Sequence, residues 1–413
     1  MLRKKCLILA IASSVLLLHC IRNFSVAPQQ KSVRELTTLE KQLTSSNNAF
    51  GLNLFKEIVR TSEQENIFIS PLSVAMALGM TLNGAGGDTY EAIKTTLGFE
   101  GMTEEQINRS FMDLIELLTG LDPDVQFDIA NSIWVRQGFD VLQDFIDANR
   151  HFFDALIQNL DFSSPQATDV INAWVSDNTQ GKIEEIVQPP INPLTVMFLI
   201  NAIYFKATWT VEFDPSKTTD DTFAKPDGSD IPVKMMRLRE TLSYFETDDF
   251  QAVDLPYGEG KFSMTVILPK EARTVDELIR EITSEKVSAW ASSFNKKDVL
   301  LHLPKFKLEY DKKLNDILTA LGMGVAFEAG RADFTRINPD VDLFISNVKH
   351  KTFVEVDEEG TEAAAATVVE ITLTSAGGNP QFLMICNRPF IFLIREHHSN
   401  TILFIGKIVA PAS

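Results

Sequence analysis

Between Val356 and Arg388 the sequence is no longer apolar like a core, and part of it has side chains that alternate as in a strand. Side chains alternate along a strand, so Gly360 to Glu370, drawn as a strand, presents two faces. One face is Thr361, Ala363, Ala365, Thr367 and Val369, and the other is Glu362, Ala364, Ala366, Val368 and Glu370. The first face is small or β-branched and could slide over a packed core. The segment could therefore become a strand on demand.

The same residues also have a plainer interpretation. The four consecutive alanines from Ala363 to Ala366 are typical of an exposed helix or a tether, and composition alone favours that interpretation. As a strand, the segment would use Gly360 as its hinge, because glycine accepts backbone angles that fold the chain back. The choice between a strand and an exposed helix or tether depends on motifs elsewhere in the chain.

The chain offers little that an enzyme could use. It contains no HExxH, GxSxG, GxxxxGK or CxxC pattern. Its histidines after position 27 show no metal-ligand spacing; they are His151, His302, His350, His397 and His398. We therefore expect no catalytic residue, no metal and no cofactor.

Composition indicates one large, acidic domain. The 413 residues are 45% hydrophobic, which is enough for a substantial core, and no linker rich in proline, glycine or serine divides them. The formal net charge of -18 disfavours nucleic acid and anionic membrane surfaces as partners.

The amino terminus predicts export. Basic residues at positions 3–5 precede an apolar stretch from Cys6 to Ile21, and Ser25-Val26-Ala27 supplies a cleavage site. Residues 1–27 are thus a predicted signal peptide of a secreted protein. The alternative is that Cys20 carries a lipid, which would anchor the protein to a membrane. After cleavage only Cys386 remains, so no intramolecular disulfide is possible.

Apolar periodicity gives the elements that must position the loop. Residues 28–46 are expected to be flexible, with a helix beginning at Asn47 or Asn48, and Ser70 and Pro71 start another. Further helices are expected around Val170 to Val175, ended by Gly181, and over Asp311 to Leu321. The expected strands are Ile67–Ile69, Val196–Phe205, Phe262–Leu268, Val299–Phe306, Asp342–Val356, Phe390–Ile394 and Thr401–Val409. Strands and helices without strict alternation indicate an α+β domain.

Several motifs, in this order, resemble those of the serpins. They are Asn66 to Ser73 (NIFISPLS), Asn172 to Val175 (NAWV) with Thr179 to Ile183 (TQGKI), Leu199 to Lys206 (LINAIYFK) with Trp209, Leu303 to Phe306 (LPKF), Val354 to Ala364 (VEVDEEGTEAA), Arg388 to Phe390 (RPF) and Leu403 to Val409 (LFIGKIV). The resemblance covers residues 47–413. It implies a single monomeric α+β serpin domain with a mixed three-sheet core, about eight or nine helices and an exposed C-terminal reactive loop at about 358–386.

The resemblance also implies a mechanism. A target serine protease attacks the loop and forms a covalent acyl-enzyme. The protease is trapped when the loop inserts into the main sheet, which is the known insertion mechanism of serpins. The scissile bond falls near Thr374–Ser375, and the alternatives are Leu373–Thr374 or a bond slightly downstream. The hinge comprises Glu358, Glu359, Gly360, Thr361, Glu362, Ala363, Ala364, Ala365, Ala366 and Thr367.

The loop sequence narrows the class of target. No Lys or Arg occurs from Thr361 to Asn387, which disfavours trypsin-like proteases and favours elastase-, chymotrypsin- or subtilisin-like enzymes. A non-inhibitory serpin-fold carrier or chaperone is the alternative function. Such proteins usually have proline or bulky charged residues in the hinge, whereas here the first proline after Gly360 is Pro380.

Other residues match supporting positions of the family. Ser70, Ser73, Asn201 and His350 match a hydrogen-bond network at the point where strands of the main sheet part; the alternative is a purely structural polar cluster. Lys305 and Glu358 match a pair at the top of that sheet; the alternative is two solvated charges. Asn108-Arg109-Ser110 fits the glycosylation sequon, whose use the sequence leaves open.

Overall fold

The computed structural model describes residues 34–62, 65–361 and 381–412, and these ranges contain both helices and strands. The helices are α1 (Thr38–Thr61), α2 (Pro71–Leu82), α3 (Gly87–Thr96), α4 (Glu104–Leu118), α5 (Gln143–Phe153), α6 (Ala167–Asn178), α7 (Val275–Glu281), α8 (Ser284–Ala291) and α9 (Asn315–Leu318). Short helical turns follow at Pro215–Lys217, Thr319–Met323 and Gly324–Phe327. Within these ranges no helix is both long and apolar enough to cross a membrane.

Six strands form the main sheet, in the order β10-β11-β12-β4-β2-β3. Their bounds are β2 (Val125–Arg136), β3 (Leu156–Leu160), β4 (Met197–Thr208), β10 (Phe306–Lys313), β11 (Lys349–Val356) and β12 (Gly360–Thr361). β2 and β3 are parallel, and the other neighbours are antiparallel. The shortest strand, β12, lies between the two long strands β4 and β11.

The remaining strands form a second sheet, in the order β1-β15-β14-β8-β7-β6-β9-β13, with β5 paired to β6. They are β1 (Ile67–Ile69), β5 (Thr219–Ala224), β6 (Asp230–Glu246), β7 (Phe250–Tyr257), β8 (Phe262–Pro269), β9 (Asn295–Pro304), β13 (Phe382–Ile385), β14 (Phe390–Glu396) and β15 (Ile402–Ile408). β6 pairs with β5 and β9 along one part and with β7 along another. Because β6 pairs with β5 and β9 and also with β7, it joins two of the three expected sheets. The described strands therefore form two hydrogen-bonded networks.

Aromatic side chains fill the core between the two sheets. The Phe205 ring on β4 lies 5.9 Å from that of Phe262 on β8 and 6.3 Å from that of Phe404 on β15. Phe68 on β1 stacks on Phe404 at 5.2 Å. These large rings dominate the burial of apolar surface and give the main sheet a firm inner face.

The amino-terminal helix begins earlier than the sequence suggested. Thr37 is its N-cap: Thr37 Oγ1 accepts from the Glu40 backbone N–H, and the Glu40 carboxylate accepts from the Thr37 N–H, which makes a capping box. The predicted start at Asn47 or Asn48 is wrong, and residues 38–46 are helical instead of flexible. Asn48 serves elsewhere, because its Oδ1 accepts from the Ile402 backbone N–H.

Two other boundaries differ from prediction. The strand expected from Asp342 begins only at Lys349, and residues 342–348 are irregular. The helix expected from Asp311 begins at Asn315, because Asp311 to Lys313 continue β10 by pairing with β11. In both places strand pairing, which a local pattern does not record, sets the boundary.

Helix α6 covers the outer face of the main sheet. Ile171 and Val175 of α6 pack against Trp134 on β2 and Ile200 on β4, in a cluster that Phe162, Ile183 and Val187 complete. Gly181, with φ of +78°, reverses the chain after the helix, as predicted.

Candidate functional site: the hinge and the slot beneath it

The hinge residues Gly360 and Thr361 are already part of the main sheet. Thr361 is opposite Val356 on β11 and Ala207 on β4, and Gly360 is opposite Thr208. Thr361 is 2% exposed, so its side chain faces the core. The predicted hinge therefore begins as a strand between β4 and β11.

Gly360 is required for a different reason from the one expected. Its φ is not in the left-handed region, so unusual backbone angles do not explain the residue. A Cβ there would instead collide with the carbonyl oxygen of Ala207 and lie 2.8 Å from Thr208 Cα. Close approach of β12 to the β4 backbone is what excludes a side chain.

An aromatic pair anchors the hinge from below. The Thr361 and Tyr257 hydroxyls are hydrogen-bonded at 2.5 Å, and the Tyr257 ring stacks on Trp209 at 4.5 Å. Trp209 Nε1 donates to the carbonyl oxygen of Asp357 at 3.0 Å. Burial raises the pKa of Tyr257, so its hydroxyl remains protonated. The sequence motifs included Trp209, but no signal identified Tyr257.

Lys305 and Glu358 meet at the top of the sheet. Lys305 Nζ lies 2.5 Å from Glu358 Oε2, and Thr218 Oγ1 donates to Glu358 Oε1 at 2.8 Å. Burial opposes ionisation of Glu358, but these hydrogen bonds together hold its pKa below the ordinary value. The side chains are 30% and 12% exposed, so the pair is partly shielded from water.

Below β12 an open slot separates β4 from β11. Within the described ranges no backbone pairing joins the two strands directly. A cavity of about 560 Å³ extends along this gap, and Ser70, Ser73, Asn201 and His350 are among the residues that line it. Unpaired facing edges of two strands are a template for another strand.

Three of the four predicted network residues are bonded together. The Ser70 backbone N–H donates to His350 Nε2 at 3.0 Å, and Ser70 Oγ accepts from the Ser73 N–H at 3.3 Å. Ser70 Oγ also donates to the carbonyl oxygen of Leu403. His350 is 5% exposed, and burial lowers its pKa to about 4, so the ring is neutral and can accept.

Asn201 lines the same cavity but bonds elsewhere. Its Nδ2 donates to Asn131 Oδ1 at 2.9 Å and lies 3.6 Å from Met76 Sδ. Its Oδ1 is buried without a hydrogen-bond partner among the described residues. Asn201 therefore offers an acceptor to whatever enters the slot.

His350 gives a testable dependence of stability on pH. Its folded pKa of about 4 is below the 6.5 of the unfolded chain, so the unfolded state binds more protons between these values. We expect the free energy of unfolding to fall with acidification from pH 6.5 to 4, by up to about 3 kcal/mol from this group. His350→Gln keeps an acceptor for Ser70 but does not titrate.

The measurement is urea unfolding of both proteins from pH 7.5 to 4.5. The wild type should lose stability more steeply than His350→Gln below pH 6.5. Parallel pH curves for the two proteins would contradict a depressed pKa at His350.

Several predicted residues lie outside the described residues. These are the signal peptide with Cys20, the hinge positions Glu362 to Thr367, and the candidate scissile residues Leu373, Thr374 and Ser375. The sequon is different: Asn108 is 3% exposed on α4 and its Nδ2 donates to Asn83 Oδ1 at 2.8 Å, so this amide is not accessible for glycosylation. Cys386 is buried, which raises its pKa to about 12. The described part of the chain contains no His, Cys, Asp or Glu group that could hold a metal ion.

Several known proteins have sequences similar to this chain. Iripin-8 of Ixodes ricinus is 37% identical over 385 residues, which cover 91% of this chain and 95% of that protein. The leukocyte elastase inhibitor of Xenopus tropicalis is 34% identical over 380 residues, covering 90% of this chain and all of that protein.

Solved structures have folds similar to that of this chain. The native thermophilic serpin tengpin superposes with a TM-score of 0.81 at 35% identity, covering 92% of this chain and 96% of tengpin. Human thyroxine-binding globulin, complexed with thyroxine, has a TM-score of 0.82 at 30% identity, covering 91% of this chain and all of the globulin. The family model described as serpin (serine protease inhibitor) matches residues 45–411. The chain therefore belongs to the serpin family.

Proposed function

We propose that the protein is a secreted, single-use inhibitor of serine proteases and has no enzymatic activity of its own. The observation that carries this proposal is β12: the start of the reactive loop already occupies the top of an otherwise unpaired slot between β4 and β11. A strand that continues from β12 gains hydrogen bonds on both edges. The proposal is also supported by the serpin family itself, whose members are mostly protease inhibitors.

The proposed reaction begins at the loop. The protease serine Oγ attacks the carbonyl carbon of Thr374, an acyl ester forms, and the Ser375 amine leaves as the new amino terminus. The released strand then extends β12 down the slot. The β12 register, continued, brings Thr367 opposite both Asn201 and His350. A threonine hydroxyl there could donate to the unpartnered Asn201 Oδ1.

The loop sequence supports an elastase-, chymotrypsin- or subtilisin-like target. We expect these three enzymes to be inactivated in proportion to added protein, while trypsin keeps its activity because no Lys or Arg lies between Thr361 and Asn387. Residual protease activity after incubation with increasing protein measures this. Inactivation of trypsin alone would contradict the assignment of target class.

A carrier function is the second candidate. It is favoured by the similarity to thyroxine-binding globulin, solved with bound thyroxine. Two features of the hinge favour inhibition: its inward face has small side chains, and no proline lies between Gly360 and Pro380. A carrier would be cleaved without inactivating the protease.

A further inference from the structure

A short segment of chain covers the outer face of the slot. This segment, residues 179–187, is here called the cover. It is fastened to α6 because Asn172 Oδ1 accepts from the backbone N–H groups of Ile186 and Val187 at 2.9 and 3.0 Å. The Ile183 N–H donates to Thr179 Oγ1 at 3.1 Å. These hydrogen bonds tie the cover to α6.

The cover is held differently on the two sides of the slot. On the β4 side, Ile183 and Val187 belong to the buried apolar cluster that includes Ile200. A small cavity beneath the cover touches both sides of the slot and has Lys182, Tyr204 and Phe353 in its lining. The apolar cluster thus holds the cover on the β4 side of the slot.

On the β11 side, the cover is held by a cation–π contact. Lys182 Nζ lies 4.8 Å from the centroid of the Phe353 ring, on the outer face of β11. Lys307 Nζ, on the neighbouring strand β10, lies 5.2 Å from the same ring. Both distances are within the range for a favourable cation–π interaction. Of these two contacts, that of Lys182 joins the cover to β11, whereas Lys307 and Phe353 are on adjacent strands.

We propose that the contact between Lys182 and Phe353 is a latch that sets the rate of strand insertion. The proposal rests on the proposed function, because it concerns the same slot. Continuing β12 by three residues beyond Thr361 brings the incoming strand alongside Phe353 on one edge and Tyr204 on the other. The cover lies over that position, so it must release β11 before the strand can pass. Lys182 and Phe353 are thus positioning residues.

The test uses a synthetic peptide with the sequence of residues 362–374, EAAAATVVEITLT, incubated with uncleaved protein, whose own Thr361 already occupies β12. Peptide entry is followed by the gain in thermal stability over time. Lys182→Met removes the charge and keeps the stem, and Phe353→Leu removes the ring. Each should accelerate entry roughly 2- to 5-fold, the factor expected for one exposed cation–π contact. The double variant should be no faster than either single variant.

Lys307→Met is the matched control, because it removes a cation from the same ring without touching the cover. It should leave the entry rate unchanged, and Lys182→Met should unfold at the wild-type temperature once cleaved and inserted. Equal rates for wild type and Lys182→Met, additive effects in the double variant, or equal acceleration by Lys307→Met would each overturn the latch. Failure of the peptide to enter even the wild type would overturn the proposed function and, with it, the latch.

Discussion

Thr361→Arg should convert the protein from an inhibitor into a substrate. Thr361 is 2% exposed between Val356 and Ala207, with its hydroxyl on Tyr257. A guanidinium buried there without a partner would cost at least about 3 kcal/mol, so residue 361 should leave the slot in the intact variant. Insertion of the cut loop must then bury it again, which slows insertion roughly 100-fold or more. Hydrolysis of the acyl-enzyme would then precede trapping. The number of inhibitor molecules consumed per inactivated protease measures the effect.

Thr361→Val is the control for this substitution. It keeps a β-branched side chain of similar volume and loses only the hydrogen bond to Tyr257, so we expect it to remain an inhibitor. Both variants should be cut at the same loop position. Undiminished inhibition by Thr361→Arg would contradict insertion of residue 361 into the sheet.

Cleavage of the reactive loop should make the protein more stable, which is unusual for a proteolytic cut. A strand of a dozen residues entering the slot would form about a dozen ladder hydrogen bonds, on the order of 10 kcal/mol in total. For a chain of this size, that gain corresponds to a rise in the unfolding midpoint of roughly 10 to 20 °C. A gain of this size would make the intact protein metastable.

Differential scanning calorimetry before and after limited cleavage measures this shift. Gly360→Val is an informative variant, because its side chain would collide with the β4 backbone at Ala207 and hinder seating of the strand. Because Gly360 already lies in β12 of the intact protein, the variant should unfold at a lower temperature than the wild type before cleavage as well as after it. A cleaved wild type that unfolds at or below the temperature of the intact protein would contradict insertion.

The sequence predicted most elements whose pattern is local. The apolar run at Val196 gave β4, and Ser70 with Pro71 gave the start of α2, because burial and capping leave direct traces in neighbouring residues. The start of α1 was missed because Thr37 and Glu40 form their capping box in a polar stretch without apolar periodicity. The start of β11 at Lys349 was missed because strand pairing sets it.

The candidate site was predictable in part. The resemblance led to Ser70, Ser73 and His350, which are bonded together, and to Lys305 and Glu358, which pair. Asn201 lines the same cavity but bonds to Asn131, which the linear pattern did not indicate.

Other contacts at the site could not have been predicted from the chain alone. Tyr257 and Phe353 contribute through contacts with residues more than a hundred positions away in the chain. Neither belongs to a local motif that marks such a contact. Partners of this kind become visible only in the folded structure.

The proposed function depends on covalent trapping of a protease. The most direct measurement is to mix purified protein with elastase, chymotrypsin or subtilisin and run denaturing gels with mass spectrometry. Covalent trapping should give an SDS-resistant complex of inhibitor and protease, with a released peptide that begins at Ser375, or at Thr374 if the alternative bond is cut. Complete cleavage of the loop by these enzymes with no covalent complex would contradict it.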